Sequence, residues 1–449
     1  MSELSTPKKT TFPQIDLLIE ESSARGFGVC SLSGATVEVA HAIPGDRVRV
    51  ELMRKKKRVQ KGRLLELLSP SLDRIEPLCQ HAFLCGGCTW QTMAYSAQLA
   101  RKQGLLCKLF PGCVLPMIPC EDPWHYRNKM EFTFSENRAG MRYLGLMIAH
   151  AEPFVFNLEE CRIASSWMAE VLQRVRAWWE ASGLKAYHPH RDSGVLRYLT
   201  VRSSVRSGEK MAILNVSQEW DVKDEESFCA SVGEGISVFI RTHQTMKGVP
   251  TNFVEKRLKG EDSMIEELRL DRGTLKFKVS PSSFFQPNTL QAEKLYNAAL
   301  RFLDQERLVY DLYCGAGTIS LAISLCAERV VGIELNPQAI KDAQENALLN
   351  GRRNVQFLQG DVGAALAQLS EKPDAVLVDP PRAGLDERAL EQIINLAPRK
   401  IVYISCNPLT QAQNIRELIQ HGYELKSVQG VDQFPHTAHI ETVAFLIRD

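Results

Sequence analysis

The stretch Asp311-Leu-Tyr-Cys-Gly-Ala-Gly-Thr-Ile-Ser-Leu321 decides the fold. It stands between an apolar run, Leu308–Leu312, and an amphipathic one, Ile319–Cys326. Glycines at such a junction let the backbone turn tightly and come close to a ligand. Val-Val-Gly-Ile-Glu334 follows at the end of the next apolar run. An acid about twenty residues past the glycines can accept hydrogen bonds from the ribose hydroxyls of a nucleotide-like cofactor. The third glycine that a pyrophosphate-binding loop wants is missing after Gly315 and Gly317, which argues against a dinucleotide. Asp311 instead offers a carboxylate to a cationic cofactor. These features favour S-adenosylmethionine over NAD.

The same rhythm continues along the chain. Strand-like and helical pieces alternate as Arg329–Ile333, Pro337–Asn350, Val355–Gln359, Ala375–Val378, Asp386–Leu396, Ile401–Ile404 and Thr410–His421. Alternation of this kind predicts a parallel, doubly wound sheet. Ligands bind such sheets at the carboxyl ends of the strands. Two acids fall there. Asp379, in Val376-Leu-Val-Asp-Pro-Pro-Arg382, precedes prolines that cannot continue a central strand. Asp361 ends the intervening strand and either contacts the adenine or caps a helix.

Cys406 ends a further strand of the sheet, in Tyr403-Ile-Ser-Cys-Asn-Pro-Leu-Thr410. The Asn-Pro forces the chain out just past the thiol, so it is presented at the crevice. Thiolates are strong nucleophiles once a base or a lowered pKa assists them. Methylation of oxygen or nitrogen has no use for a thiol. Methylation of pyrimidine C5 does, because addition of sulfur to C6 makes C5 nucleophilic. The C5 proton must then be removed, and Glu441, in Phe434-Pro-His-Thr-Ala-His-Ile-Glu-Thr-Val443, is the candidate base.

Upstream the pattern is different. Residues 11–70 hold five short strand-like pieces, Ile15–Ile19, Gly28–Ser31, Thr36–Val39, Asp46–Met53 and Gly62–Leu68, with Gly and Pro-Gly punctuation. They predict a small OB-like barrel, a frequent nucleic-acid binder. The basic segment between Arg49 and Arg63, with its run Arg54–Arg58, is either a solvated face or a phosphate-binding patch. Residues 71–265 are mixed, with strand-like pieces Lys129–Phe134, Tyr198–Arg202 and Met211–Val216 and a helix over Ser165–Ser182.

Three cysteines, Cys79, Cys85 and Cys88, lie within ten residues, and Cys161 is a fourth candidate. Four thiolates hold either a tetrahedral zinc or an iron–sulfur cluster. A redox Cys-x-x-Cys is a third choice, and Cys107, Cys113 and Cys120 are substitutes for Cys161.

At 449 residues, 44% hydrophobic and 24% charged, the chain has the composition of a soluble protein of two or three domains. The net charge of +1 advertises no global field for nucleic acid. No apolar run reaches the length of about 18 residues that a membrane span needs. The N-terminus lacks a signal-peptide core, which predicts a cytoplasmic protein. Twelve cysteines then call for a role other than disulfides.

Taken together, DLYCGAGTISL, VDPPRAGL, YISCNPLTQ and FPHTAHIETV resemble the RNA (uracil-5-)-methyltransferases. Val279-Ser-Pro-Ser-Ser-Phe-Phe-Gln-Pro-Asn288 is similar to that family's Phe-x-Gln-x-Asn signature. The resemblance implies a Rossmann-like α/β methyltransferase domain over 270–449. It implies S-adenosylmethionine bound by Gln286, Tyr313, Thr318, Glu334 and Asp379, joined by Asp361 if that acid contacts the adenine, with Cys406 as nucleophile and Glu441 as general base. Some members carry Asn at the position of Thr318. The 11–70 barrel resembles the TRAM domain. The cysteine motif is similar to the family's [4Fe-4S] site, which makes 71–265 an α+β central iron–sulfur domain with Cys79, Cys85, Cys88 and Cys161 as ligands. Part of 93–125 is expected to pack with the catalytic domain. TRAM and cluster together favour 23S rRNA as the substrate; the target uridine must flip out to reach Cys406, and the enzyme is expected to be a monomer. The alternatives are a tRNA uracil-5-methyltransferase, a cytosine-5 RNA methyltransferase and a non-catalytic RNA-binding protein.

Overall fold

A computed structural model describes residues 12–53, 59–149, 154–217, 225–244 and 252–448. The Arg54–Arg58 run therefore lies outside the described residues. Chain contacts define two units. The first comprises residues 1–98, 148–152 and 436–438, and the second comprises 99–147, 153–435 and 439–449.

The first unit contains a six-stranded sheet over Gln14–Ser69. Its strands alternate buried and exposed residues, as in Ala35–Val39. This period-two pattern packs Ile19, Val37, Val39, Val48 and Val50 into one small core. A short strand, Glu21–Ser22, joins the five expected ones. Beside the undescribed basic run, Arg49 pairs with Asp16 and Glu66, and Arg63 pairs with Glu51.

The second unit contains two large sheets. One has seven strands, from Val155–Asn157 at one edge to Asn252–Lys259 at the other. The helix Ser166–Ser182 buries Trp167, Val171, Leu172, Val175, Trp178 and Trp179, a helical apolar stripe. The other sheet has eight strands in the order Val355–Gln359, Ala327–Glu334, Glu306–Leu312, Ala375–Val378, Lys400–Ser405, Glu441–Ile447, Glu424–Val431 and Val114–Ile118. Its first five strands are mutually parallel, and Ala375–Val378 is buried throughout, as a strand covered on both faces must be.

The sheet is mixed where the sequence predicted a parallel one. Glu441–Ile447 runs antiparallel to both neighbours because a short loop, not a crossover helix, leads into it from Glu424–Val431. The strand Val114–Ile118 from the 93–125 region pairs parallel to Glu424–Val431. The helix after the glycine loop is shorter than expected, Thr318–Ile323. The helix Thr289–Leu300 was not expected, because Pro287-Asn288 reads as a loop. Asn288 is its N-cap and accepts from the Gln291 amide at 3.2 Å.

Candidate active site

The strand order reverses between Glu306–Leu312 and Ala375–Val378, and a crevice opens there at the carboxyl ends. A cavity of about 550 Å³ occupies it. Gln286, Tyr313, Thr318, Glu334, Asp361 and Asp379 all line this cavity. Tyr313 leaves the first strand with a positive φ of 64°. Gly317 has φ 79°, and a Cβ there would meet Ala343 and Phe357 at 2.9 Å, so only glycine fits. The Glu334 carboxylate is held in place by amides. Gly315 donates to Oε2 at 3.1 Å and Asn336 to Oε1 at 2.8 Å. Asp361 caps the helix Val362–Leu366, accepting from Ala364 at 3.0 Å, and also lines the cavity. The Gln286 carbonyl accepts from Asn128 Nδ2 at 2.8 Å, and its side chain hydrogen-bonds Tyr296 in the cavity wall.

The lining is acidic, with Glu334, Asp342, Asp361 and Asp379. Asp311, in the strand Glu306–Leu312 that leads to the Tyr313 turn, is not itself part of the lining; it is fully buried, its Oδ1 has no hydrogen-bond partner among the described residues, and Ser320 donates to Oδ2. Burial, with added repulsion from Asp379 and Glu334, pushes Asp311 up to about 7 despite the Ser320 bond. Burial pushes Asp379 up to about 6. Buried carboxyls without cations attract a cationic ligand and repel a pyrophosphate. The orphaned Asp311 oxygen and the acidic wall fit a cofactor with a sulfonium and an amino group.

Beside Asp379 lies a thiol–carboxyl pair. Ser405 stands opposite Thr442 at the end of the antiparallel ladder, and Cys406 and Glu441 are the next residues along the two chains. The Thr442 hydroxyl fixes this step by donating to the Ser405 carbonyl at 3.0 Å. Cys406 is half-buried, and burial first, then Glu441 and Asp379, push its thiol up to about 11, opposed by Arg382. Glu441 is buried in its strand, not exposed as a near-terminal Glu usually is. Burial, then Asp379, raise it well above the usual carboxylate range, again opposed by Arg382. Asn407 explains the presentation of the thiol. It caps the helix Pro408–Gln420 and donates to the Arg382 carbonyl at 2.9 Å, tying the Cys406 turn to the Asp379 turn. Arg382 also meets His439 Nδ1 at 3.1 Å.

The sequence matches the family described as tRNA (uracil-5-)-methyltransferase over residues 94–449. The chain belongs to this family. It is an S-adenosylmethionine-dependent RNA methyltransferase of the uracil-5 type. An uncharacterised RNA methyltransferase of Protochlamydia amoebophila is 44% identical over 440 residues, 91% of this chain and 99% of that protein. One of Chlamydia trachomatis is 36% identical, covering 82% of this chain and 98% of its own. The Pyrococcus abyssi tRNA (uracil-54, C5)-methyltransferase, solved with S-adenosyl-L-homocysteine, aligns with a TM-score of 0.77 at 26% identity. That match covers 96% of this chain and all of the other.

Tyr296 lines the cavity and escaped the sequence reading. Burial, then Asp379, Glu441 and Asp311, raise its phenol well above its usual range. It falls among Ala292, Leu295 and Ala299 on a buried helix face, so in sequence it reads as core.

The cysteine motif is a series of turns. Ala82 donates to the Cys79 carbonyl at 3.0 Å, Cys85 to the His81 carbonyl at 2.8 Å, and the Gly87 amide to Cys85 Sγ at 3.3 Å. Cys161 starts a turn closed by Ala164 at 3.1 Å. Among the described residues no disulfide joins the cysteines, and no group of three or more His, Cys, Asp or Glu is arranged to hold a metal ion. Of the substitutes, Cys107 is exposed, Cys113 donates to the Leu425 carbonyl at 3.6 Å and Cys120 packs against the Asn288 amide at 3.8 Å.

Proposed function

We propose that the enzyme methylates C5 of a uridine in 23S rRNA, with Cys406 as nucleophile and Glu441 as general base. The observation that supports this reading is that Cys406 and Glu441 follow the Ser405–Thr442 pair at the end of the ladder and share Asp379 as a neighbour, itself part of the acidic cavity wall. The bound cofactor supplies an electrophilic methyl on a cationic sulfur. Cys406 gives up its proton to solvent and its sulfur adds to C6, moving the ring's electron pair toward C5 and O4. C5 takes the methyl as the methyl–sulfur bond breaks, leaving that electron pair on a neutral thioether. Glu441 then removes the C5 proton, the C5–C6 double bond reforms, and the Cys406 sulfur leaves as thiolate.

Electrostatics support this order. Cys406 and Glu441 both favour their neutral forms in the free site. A cation in the cavity favours ionisation of both. Methyl transfer removes that cation, so Glu441 becomes a stronger base at the step where it accepts the C5 proton. The uridine must leave its stack, at a cost of a few kcal/mol that an RNA loop reduces.

The rRNA assignment rests on the TRAM-like sheet and the cysteine motif occurring together. The Pyrococcus relative favours a second reading, a tRNA substrate. Asp379-Pro-Pro-Arg382 in place of a Pro-Cys disfavours cytosine, and the retained Cys406 and Glu441 disfavour a non-catalytic role. The [4Fe-4S] cluster on Cys79, Cys85, Cys88 and Cys161 is proposed from the motif's resemblance to the family's site, since four thiolates suit either zinc or an iron–sulfur cluster; protein purified without oxygen should carry about four irons, and zinc in their place refutes it. We place the enzyme in the cytoplasm as a monomer; among the described residues no helix is long and apolar enough to cross a membrane. Mapping 5-methyluridine in a deletion strain tests the substrate. Loss from 23S rRNA supports the proposal, and loss from tRNA alone replaces it with the second reading.

A further inference from the structure

The helix Pro337–Leu349 carries Asp342 and Asn346, with Asn350 at its C-cap, four residues apart on one face. They meet the strand Gly273–Val279 and the loop that follows it, two residues per step. Asn350 accepts from the Lys276 amide at 2.8 Å and donates to its carbonyl at 2.6 Å. Asn346 accepts from the Lys278 amide at 2.8 Å. Asp342 Oδ2 accepts from the hydroxyls of Ser280 at 3.4 Å and Ser283 at 2.5 Å. The match is geometric: four helical residues rise about 6 Å and two strand residues about 6.6 Å. Satisfying the outward amides of an edge strand explains Asn346 and Asn350.

It does not explain Asp342, whose partners are past the strand. Asp342 is buried in the cavity wall, and its partners are hydroxyls and the Gln338 amide at 2.9 Å, not a cation. Ser280 and Ser283 also bond each other, hydroxyl to hydroxyl at 2.7 Å, and each hydroxyl accepts from the other's amide at 3.1 and 3.3 Å. This closed turn precedes Phe284 and Gln286, which stand at the cavity. Asn346, one step along, donates to the Ala316 carbonyl at 3.2 Å, within the glycine loop on the opposite side of the site. One helix face therefore holds both cofactor-facing loops.

We propose that Asp342 is a positioning residue that sets the Ser280–Asn288 loop, and with it Gln286, at a fixed distance from the Gly315–Gly317 loop. The proposal rests on the cofactor reading of the cavity. Binding of S-adenosylhomocysteine by wild-type protein tests that reading; the pattern among variants tests the ladder. Calorimetry on Asp342→Ala, the pair Ser280→Ala/Ser283→Ala and the triple variant is the experiment. Each of the first two should weaken binding about ten-fold, as loss of charge-assisted hydrogen bonds implies. The triple should be no more than about two-fold weaker again, because the groups act as one unit. Serine variants that bind like wild type while Asp342→Ala does not would make Asp342 a direct ligand and overturn the proposal. So would effects that multiply. A fall in melting temperature with unchanged affinity in all variants would reduce the ladder to a structural brace.

Discussion

Glu441 acts on the Cys406 thiol from just beyond the Ser405–Thr442 pair that ends the antiparallel ladder. The juxtaposition makes a thiol that holds its proton, since burial, Glu441 and Asp379 all disfavour the thiolate. Alkylation of Cys406 by iodoacetamide, followed by peptide mapping to separate it from exposed Cys107, should accelerate with pH and show no plateau below about pH 10. Glu441→Gln removes one opposing charge and should raise labelling at pH 9 several-fold. Slower labelling in that variant would contradict the electrostatic coupling.

Cofactor affinity should depend on pH with a definite sign. Burial raises Asp379 to about 6 and Asp311 to about 7, so both are largely neutral at pH 5 and ionised at pH 8. A cation prefers the ionised site and lowers both pKa values when it binds. S-adenosylmethionine should therefore bind more tightly as pH rises from 5 to 8, with proton release near pH 6–7. S-adenosylhomocysteine lacks the sulfonium charge and should show a shallower slope. Calorimetry in buffers of different ionisation enthalpy reads both quantities.

Gly317→Ala combines a positive φ of 79° with contacts at 2.9 Å to Ala343 and Phe357. It should lower stability by about 1–3 kcal/mol and weaken cofactor binding. Gly315→Ala meets nothing within 4 Å and should cost about 1 kcal/mol, from its φ of 54° alone. Thermal melts of the two variants check the contrast.

The cofactor wall was legible because it lies in short motifs, each fixed by a local strand-to-loop junction. Asp311–Thr318, Glu334, Asp361 and Asp379 share one sheet edge once the strands are parallel. The register of the final hairpin was not legible. Nothing local says that Glu441 reverses direction to meet Cys406, because that depends on which strand edge the chain's end finds. Tyr296 and Asp342 were hidden for a different reason. Both sit on helices whose period reads as packing, and their functional partners come from segments distant in sequence. The cysteine spacing suggests ligands but does not choose between zinc and iron–sulfur, since four thiolates hold either.

The central claim concerns two residues and one covalent bond. Incubating Glu441→Gln with S-adenosylmethionine and RNA containing ordinary uridine tests it directly, by mass spectrometry of the digested protein. The account predicts that Cys406 carries a C6-linked 5-methyl-5,6-dihydrouridine, because addition and methyl transfer proceed while C5-proton removal does not. The companion variant Cys406→Ala should give neither adduct nor product. Release of 5-methyluridine by Cys406→Ala, or normal turnover by Glu441→Gln without an adduct, would contradict the account.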